Sequence, residues 1–211
     1  MKIFFASDHH FWHKGINKLA KRPFDDLALL NRHMISCWNA VVTPRDHVYH
    51  LGDLSFGELG ETLGIVKGLN GFISLIPGNH DRWLDDLTNE LEGKLEVLPP
   101  LWKVNYNHTR IWLCHYPLRC WEGSFHGAMH LYGHTHNQIE KDRLPRSMEV
   151  SVDAVGFYPL YIADVWAKLD KEPILPEEVR VTPRDEEQTE RENAMAIWRT
   201  WQKEHKNGSG T

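Results

Sequence analysis

A chain of 211 residues with 41% hydrophobic side chains is long enough for one domain with an appendage, and that apolar content excludes a disordered protein. The formal net charge of −5 excludes a broad basic surface for nonspecific nucleic-acid binding, but it leaves room for a local positive site built from metal ions. Cys37, Cys114 and Cys120 contain no C-x-x-C pair and make a poor disulfide framework, which points to a reducing compartment.

In chain order, Ile3–Ser7 reads as a short buried strand ended by Asp8. The apolar run before Asp8 in MKIFFASDHH is too short for a signal peptide or a membrane span, so a cytoplasmic location is expected. From Asp25 to Val42, Leu27, Leu30, Met34, Ile35, Trp38 and Val41 recur at helical spacing, and Asp25 or Asp26 can cap the start. HVYHLGD predicts a second strand, 58–68 a helix, 72–76 a third strand and 83–91 a further helix. Strands alternating with helices are the α/β pattern.

After Gly93 the texture becomes strand-rich. KLEVLPPLWKVNYNHTRIWLCHYP reads as strands joined by turns, with a hairpin connection at 105–110. MHLYGHTH and MEVSVDAV predict two more strands, and 160–169 a last short helix. The domain is expected over residues 1–170. Residues 171–211 are expected to form a charged extension with a helix over about 183–206, started by Thr182-Pro183-Arg184-Asp185, and a disordered end. That helix is expected to pack back on its own domain, with a homodimer through it as the alternative.

The residues that end the strands share one chemistry. Asp8-His9-His10, Gly52-Asp53, Gly78-Asn79-His80-Asp81, His115 and His134-Thr135-His136 each follow an apolar run. In open α/β sheets ligands bind outside the carboxyl ends of strands, so five such ends deliver side chains to one crevice. Carboxylate, imidazole and amide oxygen are N/O metal ligands, with no cysteine among them. Asp8 and His10, like His134 and His136, lie two apart and project to one side if the backbone is extended. A catalytic zinc needs three protein ligands. Seven are available here, so two ions fit the set better than one.

These blocks, in this order and strand context, resemble the calcineurin-like metallophosphoesterases, whose pattern is D-x-H, G-D, G-N-H-[DE], H and G-H-x-H. The likeness covers about residues 3–165. The text around it, HYPLRCWEGSFHG and SVDAVGFYPL, looks like the small single-domain bacterial and phage members. The resemblance implies an αββα sandwich, two mixed sheets face to face with helices outside. It implies that Asp8, His10 and His136 hold one metal, that Asn79, His115 and His134 hold the other, and that Asp53 bridges them. His80 is then the catalytic acid, with Asp81 orienting it. The implied cofactors are two divalent transition-metal ions, any of Mn, Fe, Zn, Ni or Co. The implied reaction is phosphoester hydrolysis by in-line attack of a metal-bridging hydroxide.

A small phosphate ester of phosphodiester or nucleotide type is the expected substrate, with phosphomonoesters, phosphoproteins included, as the alternative. Retention of His80 and every ligand argues against a non-catalytic scaffold, and net acidity argues against a nuclease on long nucleic acid. His13, Arg22 and His126 lie in loops that can overhang the site and touch phosphate, as Asn79 can. Trp12, Tyr116, Trp121 and Phe125 lie in similar loops and can stack a base.

Overall fold

The computed structural model describes residues 1–175, so the expected tail helix, the disordered end and any dimer through that helix lie outside the described residues. The chain runs β1 (Ile3–Ala6), α1 (Ile16–Leu19), α2 (Leu27–Val41), β2 (His47–His50), α3 (Leu59–Gly68), β3 (Phe72–Leu75), α4 (Leu84–Glu90) and β4 (Leu95–Val97). It continues with β5 (Leu101–Tyr106), β6 (Thr109–Cys114), β7 (Met129–Tyr132), β8 (Ser147–Glu149), α5 (Val152–Val155), β9 (Leu160–Tyr161) and α6 (Ile162–Leu169).

The strands form two mixed sheets. One has the order β4-β3-β2-β1-β9, parallel except for β9; the other has the order β5-β6-β7-β8, parallel except for β5. Parallel pairing places the carboxyl ends of β1, β2 and β3 at one edge of the first sheet, and those of β6 and β7 at one edge of the second.

Side-chain alternation makes two cores. Phe4, Ala6, Val48, Ile73 and Leu75 face outward from the five-stranded sheet onto Leu30, Met34 and Trp38 of α2 and Ile65 and Val66 of α3. Phe5, Leu51 and Ile76 face inward onto Ile111, Leu113, Met129 and Leu131 of the other sheet, with Ile162, Val165 and Leu169 of α6. The two sheets therefore pack face to face through a shared apolar layer, as the expected sandwich requires. Trp38 is fully buried and donates its Nε1–H to Asn70 O at 2.9 Å, so Trp38→Ala should cost about 3–5 kcal/mol. Helix α2 starts where the sequence places it: Asp26 accepts from Ala28 N at 2.6 Å and Leu29 N at 3.2 Å.

The outer face of the four-stranded sheet has a different cover. Segment 117–128 folds back over it with one turn of 3-10 helix at Ser124–His126, tied by Trp112 Nε1 to Glu122 O (2.9 Å) and by Leu118 N to His130 Nε2 (3.0 Å).

Two sequence expectations need correction. MEVSVDAV is strand only over Ser147–Glu149; after an isolated bridge between Ser151 and Ser7 it turns into α5, because Asp153 is drawn into ion pairs with Arg22 and His136. Residues 160–169 are not helical throughout: Leu160 and Tyr161 pair antiparallel with β1 before α6 begins.

Candidate metal centre

The loops after β1, β2, β3, β6 and β7 meet at the carboxyl edge of the two sheets. They bring ligand atoms of Asp8, His10 and His136 within 4.8 Å of one another, and likewise those of Asp53, His115 and His134. Asn79, the seventh expected ligand, sets its Oδ1 3.1 Å from His115 Nε2 and so joins the second cluster. The two clusters are joined by one carboxylate. Asp53 Oδ2 lies 3.6 Å from His10 Nε2 in the first cluster and 3.6 Å from His115 Nε2 in the second. Its Oδ1 accepts from His80 N at 2.9 Å.

The side chains converge by a route the sequence did not suggest. Asp8, His10, Asp53, His134 and His136 have φ values of 57, 51, 56, 72 and 47°, all left-handed. The Asp8/His10 and His134/His136 pairs thus reach the site through tight turns, not by the same-side projection of extended strand. Such non-glycine conformations cost about 1–3 kcal/mol each and persist only where the surroundings fix them. Gly52 shows how close the fixing is: at φ +92° a Cβ there would meet His115 Nδ1 at 2.7 Å and clash with the backbone of Gly78.

The donor set fits metal ions by its lone pairs. Both His10 nitrogens are buried without a hydrogen-bond partner, and Nε2 is 3.7 Å from Asp8 Oδ1, too long for a hydrogen bond and suited to ligands sharing an ion. His115 donates Nδ1–H to Leu51 O at 2.7 Å, which leaves an Nε2 lone pair facing the oxygens of Asn79 and Asp53. Acceptors converging with no proton between them are stable around a cation. His136 Nδ1 binds Asp153 Oδ2 at 2.6 Å, which directs its Nε2 away from that carboxylate.

Electrostatics agree with this reading at Asp8 and His134, whereas His136 is drawn toward its protonated form until an ion displaces the proton. Burial alone would raise the Asp8 carboxyl, but His10, His115 and Ser7 outweigh it and hold it below the usual carboxylate range. Burial pulls the His134 imidazole down, toward the neutral form that ligates. Burial also opposes protonation of His136, but the Asp153 bond and the Asp8 charge outweigh it and raise that group.

Arg22 does not occupy its expected place. It does not overhang the site: it is buried, and it clamps Asp153 through Nε (2.8 Å) and Nη2 (2.9 Å). The same guanidinium donates to Asp8 O (2.7 Å) and His9 O (2.8 Å), so it fixes the first ligand turn and, through Asp153, His136. Burial alone would raise the Asp153 carboxyl, but His136 and Arg22 outweigh it and lower it.

Asp81 does not orient His80. Its oxygens accept from Asp53 N, Leu54 N and Gly78 N, each at 2.8 Å, and so tie the Asp53 turn to the Asn79 turn. Burial raises its carboxyl despite these donors. His126 is also corrected. It precedes β7 and lies with His108 and Arg110 around a small cavity at the amino ends of β6 and β7, a strand's length from His134. His13 stacks on Phe56 at 4.1 Å beside His10 and stays at the rim.

Of the four aromatics expected to stack a base, Tyr116 borders the clusters, 4.9 Å from the His115 ring and 4.8 Å from that of His134, and is 44% exposed. Trp121 is buried and donates to Ala128 O, and Phe125 lies in the Ser124–His126 turn, both toward the far end of β7. Trp12 packs against the first core.

Sequence reasoning missed Asp153, Glu149 and Phe56. Glu149 accepts from Thr135 Oγ1 (2.6 Å) and Asn137 N (3.0 Å) and so braces the His134–His136 turn. Phe56 packs 4.7 Å from the His80 ring. Glu149 ends a strand and Asp153 sits in a one-turn helix, and neither they nor Phe56 belong to a recurring motif, so nothing local marks them.

No family model matches the chain. It is 32% identical over 176 residues to the uncharacterized protein MJ1445 of Methanocaldococcus jannaschii, covering 80% of this chain and 90% of that protein. It is 26% identical over 182 residues to the Gene 66 protein of Mycobacterium phage L5, covering 72% and 86%. Among solved structures, the protein of unknown function AQ665 from Aquifex aeolicus shares the fold, with a TM-score of 0.64 at 24% identity over 79% of this chain and 98% of that one.

Proposed function

The chain belongs to the same family as the uncharacterized protein MJ1445, and from its two joined clusters we propose that it is a dinuclear metal-dependent phosphoesterase of the calcineurin-like type. The observation that carries this reading is Asp53 Oδ2, equidistant at 3.6 Å from a histidine of each cluster. Asp8, His10 and His136 would hold one divalent ion and Asn79, His115 and His134 the other, with Asp53 shared between them. When bound, two such ions supply an acidified water and Lewis-acid stabilisation of phosphoryl oxygens.

The chain's own groups do the rest. Asp8 and Asp53 carry the carboxylate charge of the site, and four imidazoles and the Asn79 amide complete the ligand set without adding negative charge, so with two divalent ions held the site would be net positive toward a phosphate. His80 stands exposed at the mouth, its ring 6.0 Å from that of His10, where an imidazolium can donate a proton to the departing oxygen. The Asn79 side chain, exposed beside His115, can donate from its amide nitrogen to a phosphoryl oxygen. Tyr116 offers a flat face for the organic part of the ester, which favours phosphodiesters of nucleotide type.

Metal-stripped protein reloaded ion by ion tests this against bis(p-nitrophenyl) phosphate and p-nitrophenyl phosphate. Turnover should vanish on chelation and return with a divalent transition metal, faster on the diester. Full turnover at confirmed zero metal content would overturn the reading.

A further inference from the structure

Beside His136 the surface opens into a groove of about 620 Å³, walled by Leu19 and Lys21 on one side and Asn137 and Gln138 on the other, with Asp153 at its base. Four features of this groove point to an anion. The segment 11–24 after the first ligand turn carries three lysines and one arginine, its nearest acids being Asp25 and the α2 cap Asp26, in a chain of net charge −5. Lys21, which lines the groove, is exposed, as are Lys14 and Lys18 outside its lining, and none of the three has an ion-pair partner among the described residues. The one carboxylate in the wall, Asp153, is already paired with the Arg22 guanidinium and hydrogen-bonded to His136, so it does not face an anion as a free charge. Finally, the lysine is held in place. Lys21 has a left-handed backbone at φ 54°, and the next residue, Arg22, is locked to Asp153 and to the carbonyls of Asp8 and His9. The opposite wall is fixed in the same way, with Asn137 at φ 64° and its backbone N–H donated to Glu149, which leaves its side-chain amide for the groove.

We propose that this groove is a subsite for a second phosphate group on the substrate, bound by Lys21, so that the natural ester is a phosphorylated nucleotide or a comparable compound with two phosphates. The proposal rests on the phosphoesterase reading for the first phosphate, which the clusters hold. An ammonium donating to a phosphate makes a charge-assisted hydrogen bond, and the Asn137 and Gln138 amides can complete the contact. The groove lies alongside the first cluster, so a second phosphate some atoms from the reacting one reaches it without displacing a ligand.

Two thymidine esters that release the same nitrophenolate separate the effects: thymidine 5′-(p-nitrophenyl phosphate) and its 3′-phosphorylated form, assayed on full-length metal-loaded protein. Wild type should prefer the phosphorylated ester by about tenfold in kcat/KM, mostly through KM, and Lys21→Ala should bring the ratio to about one while Lys21→Arg keeps it. Equilibrium binding on ice of thymidine 3′,5′-bisphosphate and thymidine 5′-monophosphate gives a readout independent of turnover, with the same ratios expected. If neither ester is hydrolysed with any metal, the phosphodiesterase reading fails, and the binding ratio still decides the subsite. Equal binding of the two nucleotides by wild type, or a preference that survives Lys21→Ala, overturns the subsite.

Discussion

At the amino ends of the strands, Asp46 accepts from Thr43 N (2.9 Å), Thr43 Oγ1 (2.6 Å) and Lys2 N (2.7 Å), and Lys94 caps the carbonyls of Leu69 and Gly71. At the carboxyl ends of the same strands, His10 has two buried nitrogens without partners, His115 aims a lone pair at two oxygens, and five ligand residues sit at left-handed φ. Asp46 and Lys94 are satisfied within the chain; the ligand side chains at the other end are left to be satisfied by something bound. Buried unpaired atoms and left-handed residues also occur at the amino ends, at Ser124 and at Asn107, His108 and Arg146, so what marks the carboxyl edge is that both coincide there on metal-ligating side chains.

The hardest test of that contrast is Asp53→Asn. Losing the shared oxygen should reduce metal content in both clusters and lower activity by well over the roughly 10–100-fold seen for supporting residues. His136→Ala should empty the first cluster and spare the second. Metal analysis of the two variants checks this, and equal stoichiometric loss would remove Asp53 from its joining role.

His80→Ala should leave both ions in place, since its ring belongs to neither cluster. A general acid contributes about 10²–10⁴-fold, and a nitrophenolate leaving group needs little protonation. The wild-type to variant ratio should therefore climb with leaving-group pKa across a series of aryl and alkyl esters. A flat ratio at unchanged metal content would assign His80 to phosphate binding.

Asp153→Asn probes the support behind the first cluster. It weakens the hold on His136 and on Arg22, so affinity for the ion held by Asp8, His10 and His136 should fall about 10–100-fold, with the second ion unchanged. Competitive titration with a metal indicator separates the two sites. Equal weakening at both would mean that Asp153 acts through overall stability, because an unpaired buried Arg22 costs about 3–5 kcal/mol by itself.

The contrast between the ends also explains what could be read in advance. The ligand set was legible because each member directly follows a strand, and strand ends in a parallel sheet converge by topology alone. The element order was legible from apolar spacing, as with Leu30, Met34 and Trp38 in α2. Tertiary partners of single loop residues were not legible. Arg22 and Asp153 are 131 positions apart, and nothing local says that their charges meet under the site. His126 was misplaced because the 14 residues between β6 and β7 return to the amino end of the sheet, so loop membership did not imply nearness to His115. Asp81 was assigned to its sequence neighbour His80, whereas three backbone amides compete for it more closely.

The smallest effect is expected at the satisfied end, on stability and not on catalysis. The Asp46 carboxyl is pulled down to about 2, chiefly by the Thr43 hydroxyl and then by the Lys2 amide. A carboxyl depressed in the folded state stabilises above its unfolded value near 4, and that contribution is lost as pH falls toward about 2. Asp46→Asn should thus lower metal-free stability by about 1 kcal/mol at neutral pH, screening by nearby water keeping the figure small. The gap between wild type and variant should close between roughly pH 4 and 2, read from urea midpoints at each pH. With saturating metal, activity of Asp46→Asn at neutral pH should match wild type, because the turn it closes is a strand's length from the clusters. A gap that stays constant into acid would show that the carboxylate charge is not what holds the turn, and a loss of activity would show that the two ends of the strands are coupled.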